Sequence, residues 1–267
     1  MSKTNRAKRL VAMCTLLTGN PGRQFSLAWF CQTFDLAKST VSEDLAEISQ
    51  IIHETTGGKL VSTLGAGGGI CYLPGLKEGE AKELLSQLAC RLSEPSRHLP
   101  GGYIYYSDIL FQPETAAYLG KIFAGAFANA QATVILTLET KGIPLALYTA
   151  YWLGVPLAVA RRSNKVTEGS SLSTNYLTGS GKRIETMFLS RHGIRDTDRV
   201  LVIDDFMKAG GSAQGLVHLA KEFNAAVAGV GVMISTNQPQ EKLIKDYLAL
   251  LSLDAQLNLR VNWGNSQ

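Results

Sequence analysis

Two adjacent acids followed by a glycine-rich loop form the strongest chemical signal in the sequence. An apolar, strand-like run ends in Asp204 and Asp205, and the loop that follows leads through Gly210 and Gly211 to Ser212. In open α/β sheets, ligands bind beyond the carboxyl ends of the strands. Glycines and a helix N-terminus present backbone N–H groups to phosphate, whereas paired carboxylates accept hydrogen bonds from vicinal hydroxyls. The segment therefore predicts a site for a ligand with a ribose ring and a phosphate group; an acidic turn without a ligand is the alternative.

The elements around this segment predict an α/β fold with an open parallel sheet. Strand-like and helical patterns alternate along the chain after residue 100, which is typical of βαβ units. The strand-like runs are apolar, as buried parallel strands require. The strand-like runs are residues 133–138, 155–160, 200–203 and 227–234, and the helical patterns are residues 114–129, 143–153 and 212–223.

A long polar stretch interrupts this alternation. Residues 161–187 are rich in serine, threonine, glycine, lysine and arginine. A loop of that length inside a compact domain is usually functional or mobile. A long β-hairpin without a role is the alternative interpretation.

The N-terminal part of the chain follows a different pattern, which begins with helices. Apolar residues between Leu10 and Leu17 recur at helical spacing. Ser26 is placed to cap a second, short helix. After a tight turn, Ser39 or Thr40 is placed to cap a third helix that runs to about residue 53. Two helices joined by a short turn indicate a helix-turn-helix.

A hairpin completes this N-terminal pattern. Residues 59–64 and 70–73 are β-capable runs joined by a loop of glycines, which is typical of a β-hairpin. The order of three helices and a hairpin is that of a winged helix-turn-helix. We therefore predict a DNA-binding domain at residues 1–74 and a second, ligand-binding domain at residues 75–267, with a bridging helix at residues 80–92.

The composition limits the class of protein. Apolar residues make up 45% and charged residues 18% of the chain, and the net charge is only +4, as in ordinary globular proteins. No apolar run reaches the ~18 residues of a membrane-spanning helix, so we expect no membrane partner. The four cysteines form no Cys-x-x-Cys pair and the four histidines show no ligand spacing. These patterns favour a cytoplasmic location and no metal site.

The predicted winged helix points to duplex DNA as a partner, because such domains place one helix in the major groove and the hairpin near the minor groove. Glu43 and Glu47 lie opposite the apolar stripe of the third helix, where they would repel phosphates, although Glu43 could accept a hydrogen bond from a cytosine amino group. The cationic contacts must therefore come from other residues. The candidate DNA-binding residues are Lys3, Arg6, Lys8, Arg9, Lys38, Ser39, Thr40, Ser42, Lys59 and Gly67.

Two alternatives stay open for this domain. The basic residues near the N-terminus could belong to a solvated, frayed end of the first helix. The whole domain could also be a winged helix that binds another protein.

The segment 200–212 resembles the signature of the type I phosphoribosyltransferases, in which apolar residues and two acids precede a phosphate loop. The resemblance implies that Asp204 and Asp205 bind the ribose hydroxyls of phosphoribosyl pyrophosphate and that the loop binds its 5′-phosphate. This chain departs from the usual pattern, because Lys208 and Ala209 stand where many of the enzymes have alanine and threonine. One loop hydroxyl is lost and a cation is gained, which puts ordinary catalytic use in doubt.

Further residues are assigned by the same resemblance. A short loop after residue 138 would bind the pyrophosphate, and the polar stretch 161–187 is similar to the mobile loop that closes over it. The implied effector-binding residues are Asp204, Asp205, Phe206, Lys208, Ala209, Gly210, Gly211, Ser212, Thr140, Lys141, Gly142 and Tyr103. The implied anion contacts of the mobile loop are Arg161, Arg162 and Lys165.

The chain as a whole resembles the bacterial purine operon repressors, which join a winged helix to a phosphoribosyltransferase-like domain. Residues 39–45, 100–105 and 204–211 carry this resemblance. It implies a homodimer that binds double-stranded operator DNA of purine biosynthesis and salvage genes. It also implies that phosphoribosyl pyrophosphate, with Mg²⁺ bridging its pyrophosphate and hydroxyls, is an effector that weakens DNA binding, and that the chain has no catalytic residues.

Two other functions compete with this interpretation. The chain could be an active purine phosphoribosyltransferase with an accessory N-terminal domain. It could also be a ribose-phosphate-binding module that tethers another protein. Turnover of purine bases would favour the first of these, and salt-dependent binding to duplex DNA would count against the second.

Overall fold

Three helices and a two-stranded hairpin form the N-terminal part of the molecule. The computed structural model describes residues 5–63, 68–77, 79–178 and 183–263. The elements of this part are α1 (Arg6–Thr18), α2 (Leu27–Phe34), α3 (Lys38–Thr56), β1 (Lys59–Ser62) and β2 (Ile70–Leu73). The two strands pair antiparallel, and Phe25 forms an additional bridge to Ile70. The predicted winged helix-turn-helix is confirmed.

Apolar side chains on the three helices form the core of this part. Met13 and Leu17 of α1 pack with Phe30 of α2 and with Val41 and Ile48 of α3, and all five side chains are buried. Full burial of a side chain of this size contributes about 1.5–3 kcal/mol. The apolar stripes that the sequence predicts therefore face a common core.

Helix α2 begins and ends at residues suited to those positions. The hydroxyl of Ser26 accepts a hydrogen bond from the backbone N–H of Trp29 at 3.1 Å, so the predicted cap is confirmed. Asp35 ends the helix in the left-handed conformation, with φ of 54°. Aspartate tolerates this conformation better than most residues do, and the chain can therefore turn tightly into α3.

The start of α3 corrects the sequence prediction. The helix begins at Lys38, with Ala37 at the N-cap position and no side-chain cap. The predicted cap by Ser39 or Thr40 is wrong, because the turn is complete at Ala37 and both hydroxyl residues fall inside the first helical turn. The helix also runs three residues further than predicted and ends at Gly57, whose φ is +69°.

The second part of the molecule is an α/β domain. Its helices are α4 (Glu80–Leu92), α5 (Ser107–Leu110), α6 (Pro113–Ala126), α7 (Gly142–Leu153) and α8 (Gly211–Glu222). Its strands are β3 (His98–Leu99), β4 (Tyr103–Ile104), β5 (Val134–Leu138), β6 (Leu157–Ala160), β7 (Ser171–Leu177), β8 (Ile184–Ser190), β9 (Arg199–Met207), β10 (Ala226–Thr236), β11 (Leu248–Leu253) and β12 (Leu259–Val261).

A six-stranded sheet lies at the centre of this domain. Its strand order is β12-β11-β10-β9-β5-β6. The five strands from β11 to β6 run parallel, and only β12 is antiparallel to its neighbour. The sheet is therefore mostly parallel, as predicted, with one antiparallel strand at its edge. The carboxyl ends of β5 and β9, which are neighbours, lie at the same edge of the sheet.

Helices cover both faces of this sheet. On one face, α4, α6 and α7 contribute apolar side chains to a buried cluster. On the other face, α8 and the hairpin of β7 and β8 contribute to a second cluster. Such a two-sided core buries the central strands completely, which explains why their sequences read as uninterrupted apolar runs.

The polar stretch 161–187 differs from the predicted mobile loop. Residues 171–177 and 184–187 of this stretch belong to a β-hairpin in which β7 and β8 pair over seven residues each. The geometry there is that of a hairpin, which was the alternative interpretation. The hairpin packs on α8, where Tyr176 and Met187 lie against Gly215. Alternating side chains of the hairpin thus bury apolar surface on the domain, which a solvated loop does not do. Residues 179–182 lie outside the described part of the chain.

Within the described ranges, no helix combines the length and the apolar character that are needed to cross a membrane.

Candidate functional site

The two acids lie near the C-terminal end of β9, at the predicted edge of the sheet. Asp204 and Asp205 are only 6% and 9% exposed. The backbone N–H of Asp205 donates a hydrogen bond to the Asp204 carboxylate at 3.0 Å. Burial, and then the neighbouring charge of Asp205, raise the pKa of Asp204 well above its ordinary value. A hydroxyl donor or a cation at this position would therefore relieve an unfavourable pair of buried charges.

Tyr106 completes this acidic pair and was missed by sequence reasoning. Its hydroxyl donates a hydrogen bond to the Asp205 carboxylate, 99 positions along the chain. Its ring stacks on Phe206, with centroids 6.2 Å apart and planes 12° apart. Burial and the Asp205 charge raise the pKa of Tyr106, so the hydroxyl keeps its proton and acts as a donor. Residues 100–105, which carry part of the family resemblance, end one residue before Tyr106.

The phosphate loop follows directly and leads into α8. Gly210 occupies the N-cap position of α8 with φ of +87°, and α8 has no side-chain cap. The first N–H groups of α8 are thus available to an anion. The cleft at this point brings together most of the predicted effector residues. It is lined by Tyr103, Asp204, Phe206, Met207, Lys208, Ala209, Gly210, Gly211, Ser212 and Ala213.

The predicted pyrophosphate loop lies against the acids. A methyl group placed on Gly142 would lie 3.3 Å from Oδ1 of Asp204 and 2.5 Å from Oγ1 of Thr137. Only glycine therefore allows this close approach of the two loops. The Thr137 hydroxyl is buried and has no hydrogen-bond partner within the described residues. Thr140 precedes this contact, and the peptide bond between Glu139 and Thr140 is cis.

Two lysines flank the cleft, one from each loop. The ammonium of Lys141 lies 4.5 Å from the ring centroid of Tyr106, and that of Lys208 lies 5.4 Å from the ring centroid of Tyr103. Both distances are within the range of cation–π contacts. These weak contacts hold the two ammonium groups beside the cleft, where an anionic ligand would attract them.

The basic residues that were assigned to a mobile loop are engaged with acids of the same domain. Arg161 forms ion pairs with Glu139 at 3.5 Å and with Glu168 at 3.0 Å. Arg162 pairs with Glu185. The third residue, Lys165, is exposed. The arginines would have to exchange these carboxylates for ligand phosphates, so their assignment stays a prediction.

The predicted DNA-binding residues separate into exposed and half-buried groups. Lys8, Lys38, Ser39, Ser42 and Lys59 are exposed, and Thr40 is half-buried. Lys3 and Gly67 lie outside the described residues. The exposed group contains Lys38 of α3 and Lys59 of the hairpin, the two elements that the winged-helix prediction places on DNA, together with Lys8 of α1.

Arg9 of α1 is partly buried and pairs with an acid of α3. Its side chain is only 12% exposed and forms an ion pair with Asp44 of α3 at 2.5 Å, where Asp44 itself is 1% exposed. Arg6 also pairs with Asp44, at 3.4 Å, and with Glu47. A buried carboxylate requires such partners. Arg9 would have to exchange this carboxylate for a DNA phosphate, so the phosphate contact predicted for it stays a prediction.

Arg23 is a basic residue of this surface that sequence reasoning missed. It is exposed and lies 5.1 Å above the ring of Phe25, close to the hairpin. The adjacent Gln24 exchanges hydrogen bonds with Thr63 after β1. A single arginine in the turn before α2 belongs to no recognisable sequence pattern. Only the fold shows that Arg23 lies beside the hairpin of β1 and β2.

Comparison with known proteins identifies both halves. Residues 5–74 match the family model of the N-terminal domain of bacterial purine repressors, and residues 106–264 match that of the phosphoribosyl transferase domain. The fold and the cleft thus define a protein that joins a winged helix to a phosphoribosyltransferase-type domain.

Full-length relatives define the family. The chain is 43% identical to the purine biosynthesis transcriptional repressor PurR of Bacillus subtilis, over 94% of this chain and 88% of that protein. It is 38% identical to the purine biosynthesis transcriptional activator PurR of Lactococcus lactis, over 97% of each. The chain belongs to the bacterial purine repressor family.

Phosphoribosyltransferase enzymes match part of the chain. A xanthine phosphoribosyltransferase of Lactococcus lactis is 38% identical over 51% of this chain and 70% of the enzyme. The solved structure of adenine phosphoribosyltransferase from Rhodothermus marinus superposes with a TM-score of 0.54 at 20% identity, covering 64% of this chain and 99% of the enzyme. At this identity the superposition shows the fold alone, and it confirms the predicted phosphoribosyltransferase-like architecture.

Proposed function

We propose that this protein regulates the transcription of purine biosynthesis and salvage genes, that its N-terminal domain binds operator DNA, and that its second domain senses phosphoribosyl pyrophosphate. The named functions of the full-length relatives support the first part. The observation that carries the effector assignment is the close contact of two loops at one edge of the sheet. The acids and phosphate loop after β9 lie against Gly142 of the loop after β5.

The proposed effector matches the chemistry of this cleft. Asp204 and Asp205 would accept hydrogen bonds from the ribose hydroxyls, and the N–H groups from Ala209 to Ser212 would bind the 5′-phosphate. Lys141 and Gly142 would bind the pyrophosphate. Mg²⁺ keeps several waters and prefers phosphate oxygens, so it would arrive with the pyrophosphate. No cluster of three or more histidine, cysteine, aspartate or glutamate side chains suited to a metal occurs among the described residues.

Calorimetric titration of phosphoribosyl pyrophosphate tests this assignment. Replacement of Asp204 by alanine removes an acceptor for a ribose hydroxyl, and a hydrogen bond to a charged group is worth ~1.5–3 kcal/mol. The affinity should fall about tenfold or more. Asp246→Ala is the matched control, since Asp246 is an exposed aspartate of the same domain, and it should leave the affinity unchanged. Equal affinities for the wild type and Asp204→Ala would overturn the assignment.

The regulation we propose is a decrease in DNA affinity when the effector binds, as the resemblance to the purine operon repressors implies. Whether a promoter is repressed or activated then depends on the position of the operator, and the relatives include proteins named for each outcome. We also propose a homodimer, since a two-fold protein matches the paired half-sites of many operators. Sedimentation equilibrium at micromolar concentration would detect it.

A second candidate function is an active purine phosphoribosyltransferase, which the identity to a xanthine phosphoribosyltransferase favours. The residues Lys208 and Ala209 in the phosphate loop and the attached winged helix speak against it. Incubation with phosphoribosyl pyrophosphate and each of the four common purine bases separates the two functions. We expect no nucleotide, whereas turnover above ~1 per second, a common enzyme rate, would favour the enzyme.

A further inference from the structure

Lys242 lies behind the phosphate loop, on the side away from the cleft. Its ammonium donates hydrogen bonds to the carbonyl oxygen of Lys208, to the carbonyl oxygen of Thr236 at 2.6 Å and to the Thr236 hydroxyl at 3.2 Å. The next backbone N–H, that of Leu243, donates to the carbonyl oxygen of Ala209 at 2.8 Å. Neither Lys242 nor Leu243 lines the cleft, so both hold the loop from behind.

These contacts fix the direction of two backbone amides. In a trans peptide the C=O and the following N–H point in opposite directions. The carbonyl of Lys208 points back towards Lys242, and the N–H of Ala209 must then point forward into the cleft. In the same way, the carbonyl of Ala209 points towards Leu243, and the N–H of Gly210 points into the cleft. Two donors for a phosphate are thereby set in place before any ligand binds.

The charge of Lys242 reinforces this arrangement. The ammonium is half-buried, and burial lowers its pKa from the ordinary value. Its partners in the described structure are carbonyl and hydroxyl oxygens, none of them a carboxylate. Its positive charge is therefore not cancelled by an acid at close range, and it adds to the positive potential of the loop and of the α8 N-terminus.

We propose that Lys242 is a positioning residue for the effector site, which orients the amides of Ala209 and Gly210 towards the 5′-phosphate of a ribose ligand. It acts through the loop and does not touch the ligand. This inference rests on the proposed function, because it assigns the 5′-phosphate to this loop. It predicts that replacement of Lys242 weakens the binding of a ribose phosphate but not of pyrophosphate, which would bind at the other loop, near Lys141.

The test compares two ligands on the full-length protein by calorimetry. In Lys242→Met, the affinity for ribose 5-phosphate should fall about tenfold, because the amides of Ala209 and Gly210 are no longer pre-oriented for the phosphate, while the affinity for pyrophosphate should stay unchanged. Lys242→Arg should recover most of the loss, since guanidinium can donate to the same carbonyls. Lys245→Met is the matched control, because it removes an equal charge from an exposed lysine three residues away.

The possible results distinguish the positioning role of Lys242 from the proposed effector function. Unchanged binding of ribose 5-phosphate by Lys242→Met, or an equal loss for both ligands, would overturn the positioning role. A wild-type protein that binds neither ligand would overturn the proposed effector function itself, and this inference with it.

Helix α7 supports a second inference, from contacts at its two ends. It begins at Gly142, beside Asp204. At its other end, the backbone of Leu153 and Gly154 lies against the turn between α1 and α2: a methyl group on Gly22 would lie 2.2 Å from the Leu153 carbonyl oxygen. The helix has 12 residues and thus spans ~18 Å.

Trp152 strengthens the contact at that end. Its side chain packs against the apolar core of the winged helix. Its indole N–H donates a hydrogen bond to the carbonyl oxygen of Ala117 in α6 at 2.9 Å. The winged helix is thus packed on the end of a rigid element whose beginning forms part of the effector site.

The geometry points to α7 as the element that couples the effector cleft to the DNA-binding domain. Ligand binding at Lys141 and Gly142 would shift the helix along its axis and move the turn that carries Gly22. This inference also rests on the proposed function, and it makes the interdomain contact at Gly22 necessary for coupling but not for either binding event alone.

Gly22→Ala tests the coupling, with Gly169→Ala as matched control. Both glycines have positive φ, +72° and +68°, but a methyl group on Gly169 meets no atom within 4 Å. Both variants should bind phosphoribosyl pyrophosphate like the wild type. The ratio of operator affinities without and with saturating effector should fall at least threefold for Gly22→Ala and stay unchanged for Gly169→Ala. If Gly22→Ala shows the same ratio of operator affinities as the wild type, the role of α7 in coupling is overturned.

A second variant covers the case in which Gly22→Ala no longer binds operator DNA. Trp152→Ala removes the side chain that packs against the winged-helix core, so the ratio of operator affinities without and with effector should fall in this variant as well. A wild-type ratio in Trp152→Ala would then overturn the inference.

Discussion

At the residue scale, the cleft concentrates negative charge that the free protein does not neutralise. Asp204 and Asp205 are adjacent and buried, and the pKa of Asp204 is raised by burial and by its neighbour. The pKa of Asp204 is therefore higher in the folded protein than in the unfolded chain. At pH values between these two pKa values, the folded protein binds more protons than the unfolded chain. Stability from this group is present at low pH and is lost as the pH rises towards the folded value. A site built for ligand hydroxyls thus costs stability at neutral pH.

Replacement of Asp204 by asparagine should remove that cost. The amide oxygen can still accept the hydrogen bond from the N–H of Asp205, but no second charge is buried. The melting temperature at pH 7.5 should rise, by about 2–4 °C for each kcal/mol of repulsion removed in a chain of this size, and the gain should shrink near pH 4.5. Scanning calorimetry at both pH values measures it. An equal or lower melting temperature for Asp204→Asn at pH 7.5 would contradict the account.

Tyr106→Phe should have the opposite effect on stability. The substitution keeps the stack on Phe206 but removes the Tyr106 hydroxyl as a donor to the Asp205 carboxylate, and loss of a hydrogen bond to a buried charge costs ~1.5–3 kcal/mol. The free energy of unfolding in urea should fall by about this amount. Tyr105→Phe is the control, because Tyr105 is 46% exposed. Equal stabilities of the two variants would show that the Tyr106 hydroxyl contributes nothing.

Residues of the site differ in how far the sequence predicts them. The acids and glycines after β9 form a local pattern, and the structure brings them together with the loop after β5. Tyr106 and Lys242 could not be found in this way. Each lies far along the chain from the loop that it contacts, and only the tertiary fold places it there.

At the element scale, the ion pair between α1 and α3 decides which cations are free for DNA. Arg9 is turned inward to Asp44, whereas Lys38 at the start of α3 is exposed. The sequence predicts both helices but not this division. On a helix, two basic residues one position apart, such as Lys8 and Arg9, lie on different faces, and which face is buried depends on the neighbouring helix.

Replacement of the exposed Lys38 and of the paired Arg9 should have different effects on DNA binding and on stability. Lys38→Ala should reduce the slope of log operator affinity against log salt by about 0.9, the value expected for one phosphate contact, without a change in stability. Arg9→Ala should leave that slope unchanged and lower the melting temperature, because it removes a partner of the buried Asp44 carboxylate. Fluorescence anisotropy at several salt concentrations measures the slope. A reduced slope in Arg9→Ala would restore it as a phosphate contact.

Other elements show where sequence patterns fail. The hairpin of β7 and β8 lies in a polar stretch because only alternate residues, such as Tyr176 and Met187, are buried against α8. Strand β11 was missed because its short apolar run fits a helix or a strand equally well. The two-residue strands β3 and β4 have no periodicity at all. The long apolar runs of β5, β9 and β10 were predictable because each is buried on both faces.

At the scale of the whole molecule, the account joins a sensor and a DNA reader in one chain, with contacts between them at α7. If the effector changes the affinity for DNA, then DNA must change the affinity for the effector by the same factor. This reciprocal coupling cannot be predicted from either domain alone. The sequence shows only that both domains are present. The relation gives an internal check, because both factors can be measured on one preparation.

The most direct test is an operator-binding titration with and without saturating phosphoribosyl pyrophosphate, on wild type and Lys208→Ala at one salt concentration. The account predicts that the effector weakens the wild-type complex, and that Lys208→Ala binds the operator normally but no longer responds at the same effector concentration. A wild-type affinity that the effector leaves unchanged, or a Lys208→Ala protein that still releases DNA at the wild-type effector concentration, would contradict it.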